Sequence, residues 1–307
     1  MSPSSGVFWK DGRKARDACL QYLKDVPNKC AQEGYYTGLS RYLNEELKCH
    51  IFSIWGIGGA PPPDAEPPSE NPYEALLGFG NDLETAVWLT AGAIVSEKFI
   101  LTSAHGNTKT SGDLPLKYAA LGVKNRKGDK KDWQIHTVKK IYEHPQFNNR
   151  YNDIALIELQ EPITFNNDVL PACLPEPAEE FDITNAKFSS WKDKTADVNS
   201  FLDTSIIVNV EELAAAECDA KITSLDGHIL ASYNKLLPEK VKDESQLCYG
   251  NKDSCLNIVG GPLAVTTQYS RCMNTVVGVN AFGDSCGPAV FTKVEHYTPW
   301  IESIVWP

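Results

Sequence analysis

The chain has 307 residues, 42% of them hydrophobic, and carries 40 acidic against 29 basic side chains for a formal net charge of -11. That length buries one large core or two moderate ones and leaves residues for a small appendage. The acidity, spread without long single-sign runs, argues against a nucleic-acid partner, and no apolar stretch approaches the roughly 20 residues needed to cross a bilayer.

In chain order, residues 13–24 (RKARDACLQYLK) place charged and apolar side chains at helical spacing, which predicts a short helix. After Cys49 the run HIFSIWGIGG leads into APPPDAEPPSENP, whose prolines exclude regular helix or central strand and predict a boundary loop. From Tyr73 onward the chain reads as short β-branched and aromatic runs separated by Gly, Asn, Asp and Pro. AVWLTAGAIVS, KFILTSA, WQIHTVKKIYEH, DIALIEL, NTVVGVNAFG and AVFTKV are of this kind, and they predict a barrel or sandwich. The closing YTPWIESIVWP puts Trp300, Ile301, Ile304 and Val305 on one helical face, so a C-terminal helix is expected to pack on the body.

Nine cysteines (19, 30, 49, 173, 218, 248, 255, 272 and 286) form no CxxC pair and no alternating Cys/His cluster suited to zinc. Disulfides and an oxidising, extracellular compartment are the better expectation, and neither a metal nor a cofactor is expected. The N-terminus lacks the apolar core of a secretory signal, so the numbering is expected to start after such a signal.

Three local signatures raise the question of an acyl-transfer triad. In FILTSAHG, His105 follows an apolar strand that ends in small residues, a place suited to a proton-shuttling base. In YNDIALIEL, Asp153 leads into an apolar strand, where a buried carboxylate would orient an imidazole. Taken alone, His105 also reads as a loop histidine and Asp153 as a turn residue. The third signature is CYGNKDSCLNIVGGPLAV.

With that third segment, order and spacing resemble the trypsin-like, chymotrypsin-fold serine proteases over roughly residues 57 to 307. TSAHG is similar to the family's TAAHC, and NDIALIEL to its DIAL segment. PACLP resembles a cysteine-bearing linker, and VVGVNAFGDSCGPAVFTKVEHYTPWIESIVWP the C-terminal third; the ending and PACLP look most like the snake-type, clip-associated proteases of insects. The resemblance implies an all-β fold of two packed six-stranded antiparallel β-barrels with a C-terminal helix. A disulfide-tethered, light-chain-like segment over 1–56 would precede the protease-like domain over 57–307.

At the nucleophile the match breaks: where the family reads DSCQGDSGGPL this chain reads DSCLNIVGGPL, so Val259 occupies the serine position. A valine has no hydroxyl to deprotonate, which closes the acyl-enzyme route. Asn257 stands at the oxyanion-hole glycine, and Ile258 replaces the aspartate that pairs with the ammonium freed by activation cleavage. The activation junction reads SIWGIGG, with Gly56 in place of isoleucine and no Arg or Lys before it. Joint loss avoids leaving one buried charge unpaired, which costs about 3 to 5 kcal/mol.

By the same resemblance Cys255 would pair with Cys286, Cys218 with Cys248, and Cys49 with Cys173. The disulfide beside the histidine is missing at both ends, with Thr90 and Gly106 at its positions. Cys19, Cys30 and Cys272 remain, an odd set that allows a local Cys19–Cys30 bridge, a bond from Cys272 back to the N-terminal piece, or a bond to another chain. Asp253, Ala281, Phe282, Gly283 and Ala289 match the former specificity pocket, although Ala289 replaces a lining glycine. The loop KNRKGDKKD corresponds to a calcium loop in some relatives, but its lysines argue against a metal. The implied function is a secreted, inactive protease homologue that binds proteases, zymogens or microbial surfaces. A structural or venom-type protein, or a hydrolase with Ser254 recruited as nucleophile, are the alternatives.

Overall fold

The computed structural model describes residues 13–25, 71–109, 114–166, 168–175, 186–192, 201–225, 227–250, 258–266, 273–283 and 287–307. Six strands, β1 (Glu74–Phe79), β2 (Val87–Ile94), β3 (Phe99–Thr102), β4 (Leu116–Leu121), β5 (Gln134–Glu143) and β6 (Ala155–Leu159), close into an antiparallel barrel in the order β1-β2-β3-β6-β5-β4. Closure removes every edge, and the inward side chains Leu77, Phe79, Ile94, Ile100, Leu121 and Ile157 fill the interior.

The second half is a sheet of seven strands: β7 (Lys187–Lys192), β8 (Phe201–Asn209), β9 (Glu211–Leu213), β10 (Gln246–Gly250), β11 (Pro262–Thr266), β12 (Asn274–Phe282) and β13 (Ala289–Lys293). Its order is β8-β7-β11-β12-β13-β10-β9, so the two terminal strands are consecutive in the chain. Only Val210 separates them. One run of chain therefore pairs at one end with β7 (Lys187 opposite Asn209) and at the other with β10 (Cys248 opposite Leu213). With β8 and β9 joined through Val210 as one strand, the seven reduce to the expected six, and the sheet curls into the second barrel of a chymotrypsin-type fold.

The C-terminal helix Val294–Val305 continues through Pro299, which has no N–H to donate. Packing compensates: Tyr297, Ile301 and Val305 are buried against both barrels, and Thr298 Oγ1 donates to the Pro175 carbonyl at 2.8 Å. Two further helices, Ala215–Thr223 and Gly227–Leu236, cover the second sheet and bury Cys218, Ile222 and Tyr233. Sequence reasoning misses both, because AAECDAKIT and GHILASYNKL carry only a weak apolar stripe.

The predicted N-terminal helix forms over Lys14–Asp25 and lies against the C-terminal one, with the Ala15 N–H donating to Glu302 Oε1 at 2.7 Å. Its buried face presents Cys19, Leu20 and Tyr22 to Leu170, Cys173 and Met273. Cys19 is bonded to Cys173 with Cα atoms 5.3 Å apart. This corrects the expected Cys49–Cys173 pair and also rules out Cys19–Cys30. The physical reason is the helix itself, which delivers Cys19 to the one sulfur that Cys173 offers. Cys218 is bonded to Cys248. The domain boundary at residue 56, the proline-rich loop, Cys30, Cys49, Cys272 and the Cys255–Cys286 pair lie outside the described residues.

Candidate functional site: a histidine–aspartate pair beside a valine turn

The chain leaves β3 through Ser103 and Ala104, both fully buried, and turns at His105 into a single helical turn, Gly106–Lys109. The His105 N–H donates to Asp153 Oδ1 at 2.8 Å, and ring Nδ1 lies 2.6 Å from Asp153 Oδ2. An ionised carboxylate only accepts, so the ring nitrogen facing it is the one that carries a proton. Asp153 is 0% and His105 12% exposed at the side chain, so the pair meets at the wall of the molecule with only the imidazole reaching water.

Asp153 is fixed from several directions. Asn152, in the left-handed region at φ 51°, turns the chain into β6, and Thr292 Oγ1 on β13 donates to the Asp153 carbonyl at 2.8 Å, tying the two barrels together. Arg150 brings its Nε to 3.9 Å from the same Oδ2 that faces His105. Burial lowers the Arg150 pKa, and the Asp153 charge opposes that shift. Tyr297 is pushed up to about 12, by burial first and by the Asp153 charge among lesser causes, and Glu143 is raised by burial and then by Asp153. Sequence reasoning misses Arg150; an arginine three residues before a strand-leading aspartate is the signal that was there.

Across from this pair stands the turn 258–261. The Val259 carbonyl accepts from the Ala91 N–H of β2 at 3.0 Å, and Gly260 N and Asn280 N bond to the Asn280 and Gly261 carbonyls at 3.2 and 2.9 Å. Gly260 requires its glycine: φ is +72°, and a Cβ would meet Thr102 Oγ1 at 2.2 Å and the Ala91 carbonyl at 2.4 Å. The Val259 side chain rests on Gly106, the residue after His105, so closely that a Cβ on Gly106 would lie 2.9 Å from Val259 Cγ1. The same added Cβ would lie 3.6 Å from Thr90 Cγ2, so the two positions where the family carries its histidine-side disulfide are neighbours here as well. Ile258 is 1% exposed and packs in the core with Phe188, Trp191 and Leu263. His105, Asp153 and Val259 are thus brought to one place, with an imidazole and the carboxylate it meets on one side and methyl groups on the other.

Of the former pocket, Ala281 is buried, Gly283 is half-exposed, and Ala289 is buried in the core with Tyr249 and Phe291. Phe282 is buried against the helical cover, its ring 5.6 Å from that of Tyr233. Asn257, Asp253, Ser254 and Gly56 lie outside the described residues. The lysine-rich loop is laced by ion pairs, Lys127 with Asp203 at 3.0 Å and Lys131 with Asp129 at 2.7 Å. No group of three or more His, Cys, Asp or Glu side chains suited to a metal occurs among the described residues.

The family model Trypsin matches residues 63–301. The serine protease snk of Drosophila melanogaster is 28% identical over 249 residues, covering 76% of this chain and 54% of its own length. Phenoloxidase-activating factor 1 of Holotrichia diomphalia is 28% identical over 271 residues, covering 78% and 68%. A CLIP domain-containing serine protease, C9, of Anopheles gambiae is 29% identical over 253 residues, covering 78% and 66%. The chain thus spans between about half and two thirds of the length of these curated relatives. Among solved structures, that of GrC superposes with a TM-score of 0.60 at 24% identity, covering 78% of this chain and 96% of that one, which speaks for the fold alone.

Proposed function

The chain belongs to the trypsin family, and from that premise we propose that it is a catalytically inactive serine protease homologue, secreted, which acts by binding other proteins in an extracellular protease cascade. One observation carries the reading: the side chain that rests on Gly106, next to the His105–Asp153 pair, is that of Val259. Acyl transfer needs an oxygen or sulfur nucleophile whose proton the imidazole takes, and a methyl group has none to give. Removing the nucleophile of such a triad lowers turnover by about a million-fold. Ile258 supports the reading, because the place where an active member keeps an ionisable partner for a new N-terminus is here part of the apolar core.

The binding role draws on the relatives, two of which are named as phenoloxidase-activating factors. The Cys19–Cys173 and Cys218–Cys248 disulfides support residence in an oxidising, extracellular compartment. The test has two arms. Incubation of the purified chain with a fluorophosphonate probe is expected to give no labelling, and labelling at Ser254 or any other hydroxyl would overturn inactivity. The immobilised chain is expected to retain a protease or zymogen from insect haemolymph; retention of neither would overturn the cascade role.

A further inference from the structure

Apart from the His105–Asp153 pair, an acid is buried in the seam between the barrels. Glu74 opens β1 at 7% exposure, and its carboxyl reaches across to the second sheet. Ser189 Oγ on β7 donates to Glu74 Oε1 at 3.0 Å. The Ser205 hydroxyl on β8 and the Trp191 indole N–H turn toward the same carboxyl, at a geometry looser than a full hydrogen bond that leaves both as buried donors. Glu74 makes no ion pair among the described residues.

The surroundings are otherwise short of charge. Tyr73, its chain neighbour, has its phenol pushed up by burial and then by Glu74. β2, paired with β1 so that Ala93 faces Glu74, and β11 carry no titratable residue. β4, the other ladder partner of β1, holds Lys117 at its far end, where the ammonium bonds the Asn81 carbonyl. On the strands across the seam, Asp203 of β8 is occupied by Lys127, and β7 contributes Lys187 and Lys192. A carboxylate held by neutral donors alone, away from water, is costly; a neutral carboxylic acid in the same place is not.

We propose that Glu74 is a proton-operated brace: as the neutral acid it closes the seam between the barrels, and on ionisation it loosens the seam and the Val259 turn that hangs from it. The connection runs along β2. Ala93 pairs with Glu74, and two residues on, the Ala91 N–H holds the Val259 carbonyl. Burial, opposed by Ser205, Ser189 and Trp191, raises the Glu74 carboxyl from 4.5 to about 7. The folded chain therefore binds this proton more tightly than the unfolded chain does. The stabilisation is complete below pH 4.5 and is lost as the pH rises to about 7, where the unfolding constant has grown by about two orders of magnitude from this group alone.

The experiment is urea unfolding of the whole chain and of Glu74→Gln from pH 5 to 8, with amide hydrogen exchange at Ala91 corrected for intrinsic rates. The native chain is expected to lose at least about tenfold in its folding constant across that range through this group, while Glu74→Gln lacks that share. Protection of Ala91 is expected to fall with pH only where Glu74 is present. Glu74→Met, which keeps the chain length of the side chain without a proton, serves the same comparison if glutamine fails to pack. Parallel pH profiles for the native chain and a folded variant would overturn the brace, as would Ala91 protection that ignores the substitution.

Discussion

The two sides of the site are built to different rules. On the histidine side the polar groups of Asp153 are also structural: one carboxylate oxygen receives the His105 backbone N–H, the other faces the imidazole and Arg150, and the carbonyl receives the Thr292 hydroxyl. On the valine side the backbone does the holding, through Ala91, Gly260 and Asn280, and the Val259 side chain adds an apolar contact with Gly106. A carboxylate that braces a loop is needed whether or not the neighbouring imidazole moves a proton. On the proposed reading a nucleophile has no such second duty, and the turn that carries Val259 is held by its backbone.

The sharpest way to break this contrast is Asp153→Ala. It removes the buried acceptor of the His105 N–H and the carboxylate that faces both the imidazole and Arg150, and a loss of about 3 to 5 kcal/mol in urea unfolding is expected. A loss under about 1 kcal/mol would mean that the carboxylate is ornamental. His105→Ala removes one charge-assisted hydrogen bond and leaves the backbone N–H in place, so about 1.5 to 3 kcal/mol is expected by the same measurement. Gly106→Ala forces a Cβ against Val259 and should cost about 1 to 3 kcal/mol, most of it recovered when Val259→Ala is added. A double-mutant cycle with no coupling would separate the two residues. Val259→Ser is expected to cost about 1 kcal/mol, the share of a half-buried valine. With Ile258 still filling the core below it, fluorophosphonate labelling of this variant is expected to stay at background, and robust labelling would show that the valine is the whole of the defect.

Much of the fold can be read without coordinates. FILTSA and DIALIEL end or begin where a continuous apolar run meets small or acidic residues, and those junctions are where His105 and Asp153 stand. The terminal helix is visible from the spacing of Trp300, Ile301, Ile304 and Val305. Other features are contacts between distant pieces and leave little local trace. Upstream of Cys173 stand Cys19, Cys30 and Cys49, and helical spacing around Cys19 says nothing about which surface that face meets. Arg150 is the exception, a near neighbour whose place three residues before Asp153 is itself the local trace. Glu74 in EALLGF carries no local sign of its burial, which depends on the second sheet closing over it. The two helices over 215–236 owe their burial to Cys218, Ile222 and Tyr233, too few positions to stand out along the chain.

The Cys19–Cys173 bond has a consequence for how the molecule would record its own processing. It spans 154 positions, with residues 26–70 inside the loop it closes. A single peptide-bond cut within those residues would add one water to the mass and release nothing. Such a chain would elute as one body and separate into a small and a large fragment only after reduction, so intact and nicked forms are told apart by a thiol and not by size.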